Sequence, residues 1–357
     1  MRTRPGRRGR RVAGQVAGRS AGRARCTRRW GTSRQQPATI VIEASAPGKL
    51  VISGEYAVLA GAPALVAAVD RRVTCSVTTQ ESGGWRFVST GFEDDLTLSK
   101  DDVFDAPPTT IPGIVRRSIA AADAPEHIQV RIDSSNCYRD GIKLGVGSSA
   151  ATVTAVATAF GVLAGSAPRL TDLYDLHERF QGGGSGLDVA AAVTGGVIRF
   201  EDRVATPVRL PTGIHFAFVF TGSGTRTATL LAAFDAWRRR GSTAPLERLA
   251  AGARDVVDST AHPDAFVDAL GEYTDQLERF DRTARIGILG PGHQRARELA
   301  SRLGVVYKPC GAGGGDTGMA VSGDIDAINA FRKSVATTGL EVLRMAMSRQ
   351  GVQVRTG

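Results

Sequence analysis

The chain has 357 residues, 42% of them hydrophobic, and a formal net charge of +10. That length allows two domains with substantial cores. The four cysteines, Cys26, Cys75, Cys137 and Cys310, form no C-x-x-C pair and have no His-rich partner segment, which excludes a disulfide framework and a structural zinc and points to a reducing, cytoplasmic setting.

The basic charge suggests a nucleic-acid partner until it is located. Residues 1–38 hold twelve arginines and no Asp, Glu or Lys, and removing them leaves the rest of the chain at −2. No nucleic-acid partner is therefore expected for the folded body. The tail has no apolar periodicity with which to bury a core and reads as disordered. It lacks the apolar centre of a secretory signal. An organellar targeting segment, a nucleic-acid- or partner-binding arm and a later start, for example at Val41, are the open readings of it.

From Thr39 the pattern changes to that of a folded α+β protein. Residues 39–45 read as a strand, 46–48 as a turn, and 49–59 as an apolar segment ending at a Gly-Ala-Pro turn. Strands are expected at 64–69 and 73–79, parted by Asp70-Arg71-Arg72, then short strands and loops to Pro112. A helix over 113–122 and a strand over 127–132 follow. The uncharged run 148–168 is long enough to raise a membrane span, but its Ala, Thr and Gly content favours a buried helix, and no membrane partner is expected. A helix over 170–180, a segment 189–193 and a strand 196–200 lead to a cluster of turn signals near 202–211, which divides the chain into 39–205 and 206–357. The second half reads as a strand 215–221, helices 227–240, 245–257, 263–283 and 292–303, strands 305–308 and 319–322, a helix 325–338 and a strand 340–344.

Three segments carry chemistry. In Lys143-Leu-Gly145-Val-Gly147-Ser148-Ser149-Ala150 a glycine loop feeds a helix N-terminus, whose free N–H groups and partial positive charge suit a phosphate. It matches neither the Walker pattern nor the dinucleotide fingerprint. Lys49 follows a Pro-Gly turn, and Gly311-Ala-Gly313-Gly314-Gly315-Asp316 is a second glycine run. A phosphate cradle, a placed cation and backbone N–H groups are together what phosphoryl transfer requires, since its catalysis is mostly placement and charge neutralisation.

The segments Ala46-Pro-Gly-Lys-Leu with Gly54-Glu-Tyr, Gly145-Val-Gly-Ser-Ser-Ala-Ala and Lys308-Pro-Cys-Gly-Ala-Gly-Gly-Gly-Asp resemble, in family order, the three motifs of the GHMP kinase superfamily. The resemblance runs from Val41 to the C-terminus. It implies a two-domain α+β fold, with an N-terminal domain like domain 2 of ribosomal protein S5, a ferredoxin-like C-terminal domain, and an ATP site between them. Gly54-Glu-Tyr in place of Gly-Glu-His, Lys143 two residues before the loop, and His177-x-x-x-Gln-Gly-Gly-Gly-Ser-Gly-x-Asp-Val-Ala resemble the phosphomevalonate kinase branch. Val146 in place of Leu and a glycine run one residue short depart from that pattern.

By this resemblance Asp188 is the catalytic carboxylate and Lys49 the cation beside it. Lys143, Gly145, Gly147, Ser148, Ser149 and Ala150 would bind ATP. Ser185, Thr221, Arg226, Gly311, Gly313, Gly314 and Asp316 would bind the acceptor. Ser149 and Glu178 would hold Mg2+, with an exposed helix glutamate as the other reading of Glu178. Arg71 and Arg72 are further candidates for an acceptor anion, His177 reads as a satisfied helix-end histidine, with orienting the loop as its other reading, and Cys310 as a small filler. A phosphate monoester has its second pKa at about 6, so a phosphorylated acceptor needs no strong base. Lys49 and Lys143 should then matter more than Asp188, which orients Lys49. The expected activity is ATP-dependent phosphorylation of 5-phosphomevalonate by a monomer or homodimer. A mevalonate or other small-alcohol kinase, and a catalytically silent ligand sensor, are the alternatives.

Overall fold

In the computed structural model, which describes residues 39–90, 95–225, 227–241 and 243–357, the first strand is long because its partner is long. Val41–Ser53 pairs antiparallel with Ala64–Thr79 along nearly its whole length. This pair is the spine of an eight-stranded sheet. Beyond Ala64–Thr79 lie Ile128–Asp133, Trp85–Thr90 and Leu96–Leu98; on the outer side of Val41–Ser53 lies Gln353–Thr356. The other end of Ala64–Thr79 pairs with Val197–Glu201, which pairs in turn with Val204–Val208. Every pairing in this sheet is antiparallel except that of Trp85–Thr90 with Ile128–Asp133.

The expected break at residues 70–72 is a bulge within one strand. Pro47 faces Arg72 but Gly48 faces Val69, so the extra residues leave the ladder while pairing resumes on both sides. They are taken up by the C-terminal segment. Asp70 and Ala346 exchange hydrogen bonds, and Arg71 donates to Arg344 O. Arg72 donates to Ser45 O and Gly351 O. Arg72, and Arg71 through Nη2, are thus bonded to backbone carbonyls, and neither lines the chambers described below.

The uncharged run forms the helix Ser148–Leu163, buried on all sides from Ala150 to Gly161, as an all-round apolar helix must be. It packs on the sheet spine, with Phe160 stacked on Trp85 at 5.8 Å between ring centres. Among the described residues, no helix is long and apolar enough to cross a membrane.

A second, four-stranded antiparallel sheet has the order Val306–Pro309, Thr317–Ser322, His215–Phe220, Glu341–Leu343. The helices Pro291–Ser301 and Ile325–Val335 cover it through a separate small core that includes Ala296, Phe331 and Tyr307. The helices Ala244–Asp258 and Pro263–Ala284 pair with each other. From the latter, Phe280 meets Tyr56, Phe234 and Trp237 in one aromatic cluster. The chain from Thr39 to Gly357 clusters as one compact unit. A division at 205/206 would cut the strand Val204–Val208.

Candidate active site

The loop before Ser148–Leu163 takes its shape from two glycines. Gly147 is the helix N-cap at φ +75°, and no side chain caps this end. The N–H groups of Ser148, Ser149 and Ala150 therefore have no carbonyl partner within the helix and point outward. Gly145 has φ +73°, and a Cβ there would lie 2.4 Å from Asp316 Cβ; an L side chain would be strained and would collide. The loop is also tied to the spine, since the Lys49 N–H donates to Val146 O at 2.7 Å.

Lys49 runs under this loop, its stem against Gly147, and its Nζ lies 3.2 Å from Asp188 Oδ1. Its side chain is 9% exposed and that of Asp188 26%. Asp188 stands on the first turn of the helix Leu187–Thr194, whose N-cap is Gly186, where the helix dipole favours a carboxylate. The sequence reading gave 189–193 no clear element; the glycine run before it supplies the left-handed cap that starts a helix.

Two chambers meet at this pair. The first is lined by Lys143, Gly145, Gly147, Ser148, Ser149 and Thr225. The second is lined by Tyr56, Val58, Leu59, His177, Gly311 and Ala312, and also by Ser185 and Leu187. Lys49, Gly145, Gln181, Asp188, Thr227 and Asp316 belong to both. A group held on the phosphate loop and a group held in the second chamber would thus face each other across Lys49.

Asp316 is the other shared carboxylate. It holds φ +64°, uncommon for a residue with a side chain, and its backbone is pinned from both sides. Its N–H donates to Ser223 O, and its carbonyl accepts from the Thr221 N–H. Burial pushes its carboxyl from 3.8 up to about 6, opposed by the Thr225 N–H and by the nearby Lys49 and Lys143. The native protein therefore binds this proton more tightly than the unfolded chain does, and Asp316 stabilises the fold less as pH rises from about 4 through about 6. Without nucleotide, Asp316→Asn is expected to gain stability relative to the parent at pH 8 and to lose that advantage at pH 4. Urea midpoints at the two pH values measure this, and a pH-independent difference would contradict it.

His177 is buried beside these groups, with Nε2 3.0 Å from Ser149 Oγ. Burial lowers its pKa, while Asp188 acts to raise it. Of its two expected readings, the contact favours the one that orients the loop over a merely satisfied helix-end histidine, because its partner is the loop's serine. Gln181, one turn on, accepts from Ser149 Oγ at 2.7 Å. Their signal in the sequence was the i, i+4 spacing that puts both on one helix face.

Other expected residues fall outside the chambers. Glu178 is turned toward Arg203 at 3.3 Å and lines neither chamber. Thr221 Oγ1 donates to Asp316 O, bracing the loop. The Gly314 N–H is used on Ile288 O at 2.7 Å, Gly313 packs against the same carbonyl, and Gly315 O lies 2.6 Å from His293 Nε2. Of the third motif, Gly311, Ala312 and Asp316 face a chamber; Gly313 and Gly314 shape the loop. Arg226 lies outside the described residues. Cys310 lines the second chamber, and burial raises its thiol to about 12, which suits a filler.

Sequence reasoning missed the anchor behind this site. Lys308, fully buried, donates to Glu55, to Val51 O at 3.3 Å and to Pro309 O at 2.6 Å. Glu55 also accepts from Tyr273 Oη at 2.8 Å, and Tyr56 Oη donates to Ala312 O at 2.7 Å. The first and third motifs are thus joined through a buried ion pair.

Residues 114–196, which include the phosphate loop and Asp188, match the family model for the GHMP kinase N-terminal domain. A phosphomevalonate kinase from a Streptomyces species is 26% identical, over 86% of this chain and 97% of its own. A mevalonate kinase from Aeropyrum pernix is 32% identical, over 74% of this chain and 73% of its own. Among solved structures, the Streptococcus pneumoniae phosphomevalonate kinase complex with phosphomevalonate and AMPPNP superposes with a TM-score of 0.70 at 20% identity, covering 85% of this chain and 99% of that one. Identity of that extent to the Aeropyrum protein, together with the match over the loop and the Asp188 helix, establishes that this chain belongs to the GHMP kinases and is a phosphotransferase.

Proposed function

We propose that this kinase transfers the γ-phosphoryl group of ATP to the phosphate of 5-phosphomevalonate, forming the diphosphate. The observation that carries the reading is the pair of chambers meeting at Lys49 and Asp188. The N–H groups of Ser148, Ser149 and Ala150 would cradle the ATP phosphates, and Lys143 would neutralise them from the loop's entrance. Lys49 would lie over the transferring group, where charge accumulates in the transition state. Asp188 would hold the ammonium in place. The similarity along almost the whole Streptomyces phosphomevalonate kinase supports this acceptor.

The donor set fits a hard divalent cation as a partial shell. Ser149 Oγ and the carboxylates of Asp188 and Asp316 line the first chamber, and no cluster of three or more His, Cys, Asp or Glu suited to a metal occurs among the described residues. Mg2+ commonly takes one or two carboxylates, with substrate phosphates and water completing its shell, so these residues would hold it together with the nucleotide. When bound, it would neutralise phosphate charge.

A second reading has one observation in its favour. The described lining of the second chamber has Lys49 as its one cation, against Glu55, Asp188 and Asp316. That balance suits an uncharged hydroxyl better than a phosphate dianion, and Asp188 would then act as general base on an alcohol such as mevalonate. ADP release measured with 5-phosphomevalonate, mevalonate, galactose and homoserine separates the two. A kcat/KM highest for 5-phosphomevalonate is expected; preference for any unphosphorylated acceptor would overturn the proposal in favour of an alcohol kinase.

A further inference from the structure

We infer that His293 is a positioning residue for the candidate active site: through the carbonyl of Gly315 it holds the peptide that sets the direction of the Asp316 carboxylate between the two chambers. His293 itself lines neither chamber. It lies in the first turn of the helix Pro291–Ser301 and is completely buried. That end of the helix is seated on the third motif and on the loop that braces it. A Cβ at Gly290 would lie 2.1 Å from Gly314 O, and one at Gly292 would lie 2.7 Å from Thr221 Cβ. His293 completes the seat, with Nε2 2.6 Å from Gly315 O and Nδ1 2.9 Å from Tyr307 Oη. A carbonyl only accepts, so Nε2 carries the proton and donates to Gly315 O. Burial, opposed by that bond, lowers the pKa of the ring from 6.5 to about 4 and keeps it neutral. Nδ1 is then an acceptor, and the buried hydroxyl of Tyr307 donates to it.

The Gly315 carbonyl and the Asp316 N–H belong to one rigid peptide plane. His293 holds the oxygen end of that plane, and Ser223 O takes its N–H at 2.7 Å. The φ of Asp316, +64°, relates this plane to the rest of that residue, its side chain included. A residue with a side chain keeps such an angle only where its surroundings over-determine it. Released at the oxygen end, the plane can turn and let Asp316 return to a negative φ. Its carboxylate then leaves the Thr225 N–H, 3.3 Å from Oδ1, and its packing against Gly145. Both chambers lose a wall they share.

The inference rests on the kinase reading for what enters the chambers, and its first test needs neither substrate nor turnover. Nitrogen NMR of the full-length protein, which has five histidines, identifies the His293 signals by their loss in His293→Gln. A neutral ring protonated on Nε2 is expected, and a ring protonated on Nδ1 would overturn the assignment. Kinetics with whichever acceptor is turned over fastest then compare His293→Leu with His293→Gln, whose side-chain amide N–H can still donate to Gly315 O. A loss of about 10–100-fold in kcat/KM is expected for His293→Leu, and recovery to within about threefold of the parent for His293→Gln. In an Asp316→Asn background the His293→Leu loss should shrink to about twofold, because it acts through that carboxylate. Equal losses in the two His293 variants, no loss in either, or an undiminished loss in the Asp316→Asn background would make His293 a packing residue and overturn the inference. The NMR reading stands whether or not His293→Leu folds and whether or not the acceptor panel bears out the proposed function, so the two ideas fail separately.

Discussion

Replacing Lys49 with methionine is expected to lower kcat by about 10²–10³-fold, the usual loss when one placed electrostatic group is removed from a transition state. Methionine keeps most of the stem that packs on Gly147 and removes the ammonium 3.2 Å from Asp188. Nucleotide affinity should change little, because the phosphate loop binds through its own N–H groups. The companion variant, Asp188→Asn, separates the two acceptors. If the acceptor is a phosphate dianion, no base is needed, and Asp188→Asn should cost clearly less than Lys49→Met. If the acceptor is an alcohol, the carboxylate must take a proton in the transition state and the order reverses. Measuring kcat and KM for both variants with the preferred acceptor thus tests the role of the pair and the chemistry of the acceptor together.

The largest stability effect is expected at Lys308. It is completely buried, and its partner Glu55 is nearly so. Lys308→Met leaves the Glu55 carboxylate buried with Tyr273 but without a counter-charge, a change that typically costs about 3–5 kcal/mol. The double variant Glu55→Gln, Lys308→Met removes both charges and should recover most of that loss, since a neutral pair of similar volume carries no uncompensated ion. Urea unfolding of the single and double variants measures the coupling, and an additive double variant would mean that the pair contributes little as a pair. The double variant should also raise KM for the acceptor, because Tyr56, Gly311 and Ala312, which line the second chamber, sit on the segments this pair joins.

The local code reads clearly wherever one segment decides its own structure. The buried helix Ser148–Leu163 is legible because every one of its faces is apolar, and the phosphate loop because glycine alone accepts its dihedrals without strain. Lys49 and Asp188 were identifiable through motif resemblance, and the structure puts them 3.2 Å apart. The strand Gln353–Thr356 was missed because none of its residues is buried and it has no alternating pattern; it exists because the edge of Val41–Ser53 offers it a ladder. Arg71 and Arg72 looked like anion binders because a sequence shows their charge but not the carbonyls of 344–351 that use it.

By itself, then, the sequence determined the α+β class, the glycine loop at Gly145 and Gly147, the confinement of basic charge to residues 1–38, and membership of a phosphoryl-transfer family. Only the tertiary structure decided which glycines of the third motif face a chamber, that Glu178 turns away, and that His177 and Gln181 hold Ser149. The reason is physical. Backbone dihedrals and apolar periodicity act over a few neighbouring residues, whereas the partner of a buried polar atom is chosen by whichever segment the packing brings beside it, 32 residues away for Ser149 and Gln181 and 253 for Glu55 and Lys308.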